Sequence, residues 1–136
     1  MYKNVLVPMM LDHKALGEMA TKVAQLLQDE GGSITLLHVM DGVPEYIRSE
    51  LPKGVLEAGR KDALAGLEAV AGKAGISARS VVLTGHPGRS ICDYAKENGI
   101  NCIVVASHRP GLQDYFIGST AAFVVRHAGC AVHVMR

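Results

Sequence analysis

Five short apolar runs recur along the chain, at residues 5–7, 34–39, 81–83, 102–106 and 131–135. Each run is rich in β-branched residues, which are typical of β-strands. The runs are continuously apolar and do not alternate with polar positions, a pattern typical of strands covered on both faces. The sequence therefore predicts five strands of a parallel sheet.

Helical periodicity fills the first two connections between these runs. Before the second run, apolar residues recur at three- and four-residue steps up to Gly31 and Gly32, which predicts a first helix with Asp12 as its N-cap. The second connection combines a loop over residues 42–52 with another periodic stretch. The predicted core face of the first helix is Leu16, Met19, Ala20, Val23, Leu26 and Leu27, and that of the second is Ala63, Leu64, Leu67, Val70 and Ala71.

Two shorter helices complete the alternation of strands and helices. Pro87 and Gly99 bracket the third helix, as a first-turn proline and a terminal glycine commonly do. The fourth connection opens with a polar, glycine-containing turn over residues 107–117 and continues as a helix from about Ser119 to His127. Strict alternation predicts a three-layer, doubly wound α/β sandwich.

Ligands of such sheets bind beyond the carboxyl ends of the strands, where the strand order reverses. The loops after Val7, Val39 and Ala106 are therefore the predicted location of a site.

Composition narrows the class of protein. A length of 136 residues predicts one domain over residues 1–136, and 49% hydrophobic with 20% charged residues is a globular composition. The net charge of +1 comes from interleaved acidic and basic residues, which excludes the basic stripe expected of a nucleic-acid-binding protein. No apolar run approaches the roughly 20 residues of a membrane-spanning helix, and the start of the chain reads directly into a strand, so we expect a cytoplasmic protein.

Cysteine and histidine spacing gives no sign of a metal or thiol-redox site. Cys92, Cys102 and Cys130 are widely separated and form no C-x-x-C pair, so we expect three buried apolar side chains. The histidines show no zinc-binding spacing such as H-E-x-x-H. We therefore expect no structural metal.

The segment from Ala106 to Thr120 carries the most informative chemistry. Gly118 and Ser119 open a helix, and the first N–H groups of a helix have no intrahelical partner and favour anions. Gly118 would let a phosphate approach the backbone, Ser119 and Thr120 would offer hydroxyls, and Arg109 would offset charge. The same residues also fit a plain helix start capped by Ser119 beside a solvated arginine. The residues alone leave both interpretations open.

Other polar positions suit structural roles better. We interpret His38 as a core or supporting histidine, and His108 as a loop histidine that could also face phosphates. Residues 84–89 resemble a phosphate loop but fit a helix start. No paired carboxylate or activated nucleophile is evident from spacing, so no catalytic residue is assigned.

Several motifs recur from the start to the end of the chain: a first strand followed by proline, a second strand with a histidine, the loop after the fourth strand, and the last helix and strand. These motifs are Val5-Leu6-Val7-Pro8, Leu36-Leu37-His38-Val39, Ala106-Ser107-His108-Arg109-Pro110, Gly118-Ser119, Val124-Val125-Arg126-His127-Ala128 and Val132-His133-Val134. Through them the whole chain resembles the universal stress protein family, and its end is similar to the F/G-type branch.

This resemblance implies a five-stranded parallel sheet of order 3-2-1-4-5, of the adenine nucleotide alpha hydrolase-like type. It also implies ATP bound across the ends of the first and fourth strands, and a homodimer paired through the last strand. The implied nucleotide-binding residues are Pro8, Met9, Met10, Val39, Val105, Ala106, Ser107, His108, Arg109, Gly118, Ser119 and Thr120. The implied dimer residues are Ala131, Val132, His133, Val134 and Met135.

Three features depart from the pattern of the ATP-binding members, which is G-x-x-G, nine residues, then G-[ST]. Ala106 and Arg109 replace the first two glycines, the following interval is one residue shorter, and Met10 stands where many members carry Asp. Two functions follow: a stress-response protein that binds ATP as a regulatory ligand, or a nucleotide-free dimeric adaptor for a partner such as a transporter. For the first function, Mg²⁺ would enter only together with the nucleotide, and at most slow ATP hydrolysis or autophosphorylation is expected.

Overall fold

The computed structural model describes residues 1–107 and 117–136. Strands and helices alternate along the chain, apart from two successive helices between the second and third strands. The elements are β1 (Tyr2–Pro8), α1 (Lys14–Leu27), β2 (Gln28–Met40), α2 (Glu45–Arg48), α3 (Val55–Ala74), β3 (Arg79–Thr84), α4 (Pro87–Glu97), β4 (Cys102–Ala106), α5 (Ser119–His127) and β5 (Ala131–Met135).

The strands form one sheet of order β3-β2-β1-β4-β5, and every pairing is parallel. β1 is central, with Val5 opposite Ile34 of β2 on one side and Cys102 of β4 on the other. The strand order reverses between β2 and β4, on either side of β1. The predicted α/β fold and strand order are confirmed.

Helices cover both faces of the sheet and bury two apolar clusters. Val5 and Val7 point toward α1 and α3, where Leu67 is fully buried. Leu6 points to the opposite face, toward α4 and α5, where it joins Ile91 and other apolar side chains. Successive strand residues point to opposite faces, so coverage of both faces requires the continuous apolar runs seen in the sequence.

The core face of α1 agrees only in part with the prediction: Ala20 is buried, and Val23 and Leu27 pack half-buried against the core. Met19 is 56% exposed and Leu26 is 86% exposed, whereas small residues of α1 are buried against the sheet. Small side chains let the helix lie close to its neighbours: a Cβ on Gly17 would lie 2.9 Å from the Met9 sulfur. The buried residues of α1 are Gly17, Ala20, Thr21 and Ala24.

The ends of the first helix also differ from the prediction. His13 occupies the N-cap because α1 begins at Lys14, so Asp12 lies one residue too early and the prediction that it caps the helix is wrong. α1 ends at Leu27 and not at the two glycines, which lie within a longer β2. The extra length arises because β1 begins at Tyr2, which is opposite Gln28.

The predicted loop over residues 42–52 contains the short helix α2. α3 buries Ala63, Leu67, Val70 and Ala71, as its apolar stripe predicted. No helix within residues 1–107 and 117–136 is long and apolar enough to span a membrane.

The start of α4 confirms the structural interpretation of residues 84–89. Pro87 is the first helical residue, and the His86 ring nitrogen Nδ1 accepts a hydrogen bond of 3.1 Å from the Arg89 N–H. Gly88 is buried where α4 meets α5, and a Cβ there would lie 2.6 Å from Phe123 Cδ1. The segment is therefore a capped helix start that packs directly against α5.

The cysteines agree only in part with the expectation of full burial. Cys102 is buried, whereas Cys92 and Cys130 are half-buried, and all three are free thiols. Burial raises the pKa of each thiol above its ordinary value. A raised thiol pKa keeps the unreactive protonated form at neutral pH.

Candidate functional site

A cleft of about 720 Å³ opens at the carboxyl ends of β1, β2 and β4, where the strand order reverses. It is bounded by the chain leaving β1, the start of α1, the end of β2, and the first turns of α4 and α5. Ten residues predicted from the sequence border it: Pro8, Met9, Met10, Val39, Val105, Ala106, Ser107, Gly118, Ser119 and Thr120. The predicted residues His108 and Arg109 lie outside the described part of the chain.

Met9 marks the point where the chain leaves the sheet. Its N–H donates to the Leu37 carbonyl at 2.9 Å, and its carbonyl oxygen lies 3.0 Å from Nδ1 of His38. Its sulfur rests against Gly17 of α1. Met10, the next residue, is 40% exposed at the cleft. The two methionines thus give the cleft one apolar wall.

The backbone of Val39 faces this opening. The Leu37 carbonyl bonds toward β1, and the Met40 carbonyl bonds the other way, to the N–H of Gly85 after β3. Backbone groups of successive strand residues point to alternate sides, so the N–H and carbonyl of Val39 point to the same side as those of Leu37. On that side β1 has ended, because Pro8 pairs with Leu37 and no later pair follows among the described residues.

The N-terminus of α5 forms the opposite wall. The Ala122 N–H makes the first intrahelical bond, to Gly118, so the N–H groups of Ser119, Thr120 and Ala121 have no intrahelical acceptor. These three groups and the helix dipole favour an anion.

The expected role of Gly118 needs a correction. Its N–H already donates to the Ser107 carbonyl, so it is not a further donor for phosphate. A Cβ at Gly118 would lie 2.9 Å from the same carbonyl oxygen. The glycine is therefore required by a close approach within the protein itself, between the end of β4 and the start of α5.

Carboxylates and imidazoles supply the ionisable groups in the described part of the cleft. Asp12 and Asp41 border it together with His13 and His38, whereas no lysine or arginine does so within the described residues. Asp12 Oδ2 lies 3.8 Å from His13 Nε2. An anionic group would therefore bind best at the start of α5 and not at the acidic end of the cleft.

Sequence reasoning missed several of these neighbours. Asp41 and His13 lie in the loops that follow β2 and β1, so their position at the carboxyl ends of these strands was a usable signal. Pro87 and Ile91 of α4 also border the cleft, which only the packing of α4 beside α5 reveals. Among the described residues, no group of three or more histidines, cysteines or carboxylates could hold a metal ion.

Comparison with known proteins finds similar sequences and similar structures that span nearly the whole chain. Universal stress protein G of Escherichia coli O157:H7 is 27% identical over 142 residues, covering 100% of both chains. Universal stress protein UspA from Lactobacillus plantarum superimposes with a TM-score of 0.71 at 27% identity, over 99% of this chain and 98% of that one. The hypothetical protein MJ0577 gives a TM-score of 0.81 at 23% identity, over 99% and 96%.

Two further structures of this fold were solved with a nucleotide. The universal stress protein from Archaeoglobus fulgidus in complex with dAMP has a TM-score of 0.65 at 18% identity, covering 99% of this chain and 97% of that one. A universal stress protein family protein from Arabidopsis thaliana with AMP bound has a TM-score of 0.63 at 21% identity, over 98% and 90%.

The family model described as "Universal stress protein family" matches residues 1–136, the full length of the sequence. The match spans both walls of the cleft, and the strand order found here is the one that the resemblance implied. This chain belongs to the universal stress protein family.

Proposed function

We propose that this protein binds an adenine nucleotide as a regulatory ligand in the cleft, with the base at Val39 and the phosphate at the start of α5. One observation carries the proposal: a single cleft joins a strand edge with a hydrogen-bond donor and acceptor to a helix N-terminus. The first suits the edge of a base, and the second suits a phosphate.

The apolar wall is consistent with this orientation. Met9 and Met10 would contact the flat face of the base, since thioether side chains adapt to aromatic surfaces. The likeness to proteins solved with AMP and dAMP supports an adenine nucleotide as the ligand class. ATP, with Mg²⁺ entering on its phosphates, is the physiological ligand that we propose.

A proline substitution tests the phosphate end of the site. Ser119 is the first residue of α5, where proline fits a helix, and the extended backbone of Gly118 (φ −61°, ψ 152°) accepts a following proline. Ser119→Pro removes one N–H at the helix start and the hydroxyl, whereas Ser119→Ala removes only the hydroxyl. A hydrogen bond to a charged group contributes about 1.5–3 kcal/mol, so Ser119→Pro should weaken AMP binding by at least about tenfold.

Calorimetric titrations of AMP and adenosine measure this difference. Adenosine has no phosphate, so we expect Ser119→Pro to leave adenosine affinity unchanged and Ser119→Ala to cost less than Ser119→Pro for AMP. Equal AMP affinity in wild type and Ser119→Pro would refute phosphate binding at α5. Absence of binding by any adenine nucleotide at millimolar concentration would instead favour the nucleotide-free adaptor.

We further propose a homodimer through β5. In the described sheet β5 is an edge strand that pairs with β4, and Val132 and Val134 pack half-buried against the face covered by α4 and α5. An apolar edge strand without proline is usually paired or covered. Two copies of β5 related by a two-fold axis would pair antiparallel, with His133 at the centre of the strand.

A further inference from the structure

His38 forms a contact that joins two strands beyond the end of their ladder. Its side chain lies on β2 and is half-buried, and its Nδ1 lies 3.0 Å from the carbonyl oxygen of Met9. A carbonyl oxygen only accepts hydrogen bonds, so Nδ1 carries the proton and donates.

This bond holds Met9, which lies where the chain leaves the sheet and borders the cleft. Met9 is held by its N–H on Leu37, by its carbonyl on His38 and by its sulfur on Gly17. Without the histidine bond, the Met9 carbonyl would lose its partner on β2, and only the N–H bond would still join the Met9 backbone to β2. The residue that follows β1 is thus held by a side chain from the strand that presents the Val39 backbone.

We propose that His38 is a positioning residue for the nucleotide site. By holding the Met9 carbonyl, it fixes where the chain turns away from β2, and this sets the gap in which a base meets the Val39 backbone. The inference rests on the proposed function, because the base that would fill this gap is that of the proposed nucleotide. His38 itself need not touch the ligand for this role.

Two substitutions separate the hydrogen bond from the bulk of the ring. His38→Asn keeps an N–H donor at the same distance from the backbone as Nδ1, whereas His38→Leu keeps a similar volume and removes the donor. His127→Leu is a matched control, since His127 lies at the end of α5 opposite to the cleft.

Amide hydrogen exchange of Met9 tests the positioning step without a ligand. Loss of one hydrogen bond should make the Met9 amide exchange about three- to tenfold faster in His38→Leu. The amide of Leu6, in the centre of β1, should keep its rate, and His38→Asn should restore protection of Met9. An unchanged Met9 rate in folded His38→Leu would overturn the inference.

Discrimination between AMP and GMP tests the consequence for the ligand. A general loss of stability would lower both affinities alike, whereas a misplaced base edge should lower the ratio of AMP to GMP affinity by about three- to tenfold. We expect this loss in His38→Leu, recovery in His38→Asn, and no change in His127→Leu. AMP binding by wild type with an unaltered ratio in His38→Leu would overturn the inference alone. Absence of AMP binding by wild type would refute the proposed function, while the Met9 exchange rate would still decide whether His38 fixes the cleft wall.

Discussion

Replacing Gly118 with alanine should destabilise the fold at the join between β4 and α5. The new Cβ would lie 2.9 Å from the Ser107 carbonyl oxygen, a distance that real Cβ atoms do not tolerate. The obstacle is backbone, and that carbonyl also accepts the Gly118 N–H, so neither group can move without straining their bond. Ser107 is only 1% exposed and its N–H donates to Met135 at 2.8 Å, which ties the carbonyl to β5.

Overpacking of this kind costs about 1–3 kcal/mol in free energy of unfolding. The backbone of Gly118 has a negative φ of −61°, so alanine brings no conformational strain and should recover about 0.4–1 kcal/mol through the unfolded chain. The midpoints of these two terms give a net destabilisation of about 1.3 kcal/mol, within a range of about 0–2.6 kcal/mol. A domain of this size loses about 4 °C in Tm for each kcal/mol.

Urea denaturation of Gly118→Ala and Gly129→Ala gives the comparison. A Cβ added at Gly129 would meet no described atom within 4 Å, and its φ is not positive, so alanine there should be neutral or slightly stabilising. The midpoint of Gly118→Ala should fall below that of Gly129→Ala with an unchanged m-value. Equal midpoints would refute the close approach of Gly118 to Ser107.

Three further predictions concern other parts of the molecule. Gly88→Ala should lower the free energy of unfolding by about 1–3 kcal/mol through its clash with Phe123. In a double-mutant cycle, Gly88→Ala should be nearly neutral when Phe123 is already alanine, and additive effects would refute the contact. Because burial raises the pKa of the Cys92 thiol, iodoacetamide should modify the folded protein slowly at pH 7, and alkylation as fast as in urea would contradict this. The contribution of this thiol to the free energy of unfolding should be lost as the pH rises above about 8.5. His133→Glu should weaken the β5 dimer several-fold by placing like charges across the two-fold axis. Sedimentation should show this loss relative to His133→Gln, and a wild type that is monomeric at tens of micromolar would exclude the dimer.

The sheet could be predicted from the sequence because each strand is a continuous apolar run. Residues 102–106 and 131–135 coincide with β4 and β5, since burial on both faces favours apolar residues at successive positions of such strands. The strand order came from the resemblance to the family, because apolar runs alone do not specify neighbours.

The orientation of α1 could be predicted only in part, because large apolar residues do not fully mark the buried face of a helix that lies close to its neighbours. Met19 and Leu26 are exposed, while Gly17 and Ala24, which the predicted face did not include, are buried. A rule that counts large side chains therefore includes exposed positions and omits buried ones. Small residues at the same spacing were the usable signal.

The site could be predicted by its location but not by its hydrogen bonds. The sequence placed Val39 at the carboxyl end of a strand and Ser119 at the start of the last helix, and both border the cleft. That the Gly118 N–H donates to Ser107, and that His38 reaches Met9, depends on distances between segments that are separated in sequence. Such contacts leave no periodic pattern.

The most direct test of the account is a ¹⁵N–¹H NMR titration of the wild-type protein with AMP, followed by ATP and Mg²⁺. Binding in the cleft should shift the amide signals of Met10, Val39, Ser119, Thr120 and Ala121 in a saturable manner. Amides near Asn4 and Ser33, at the amino ends of the strands, should remain unchanged. No shifts at millimolar nucleotide, or shifts confined to the amino ends of the strands, would contradict nucleotide binding between Val39 and the start of α5.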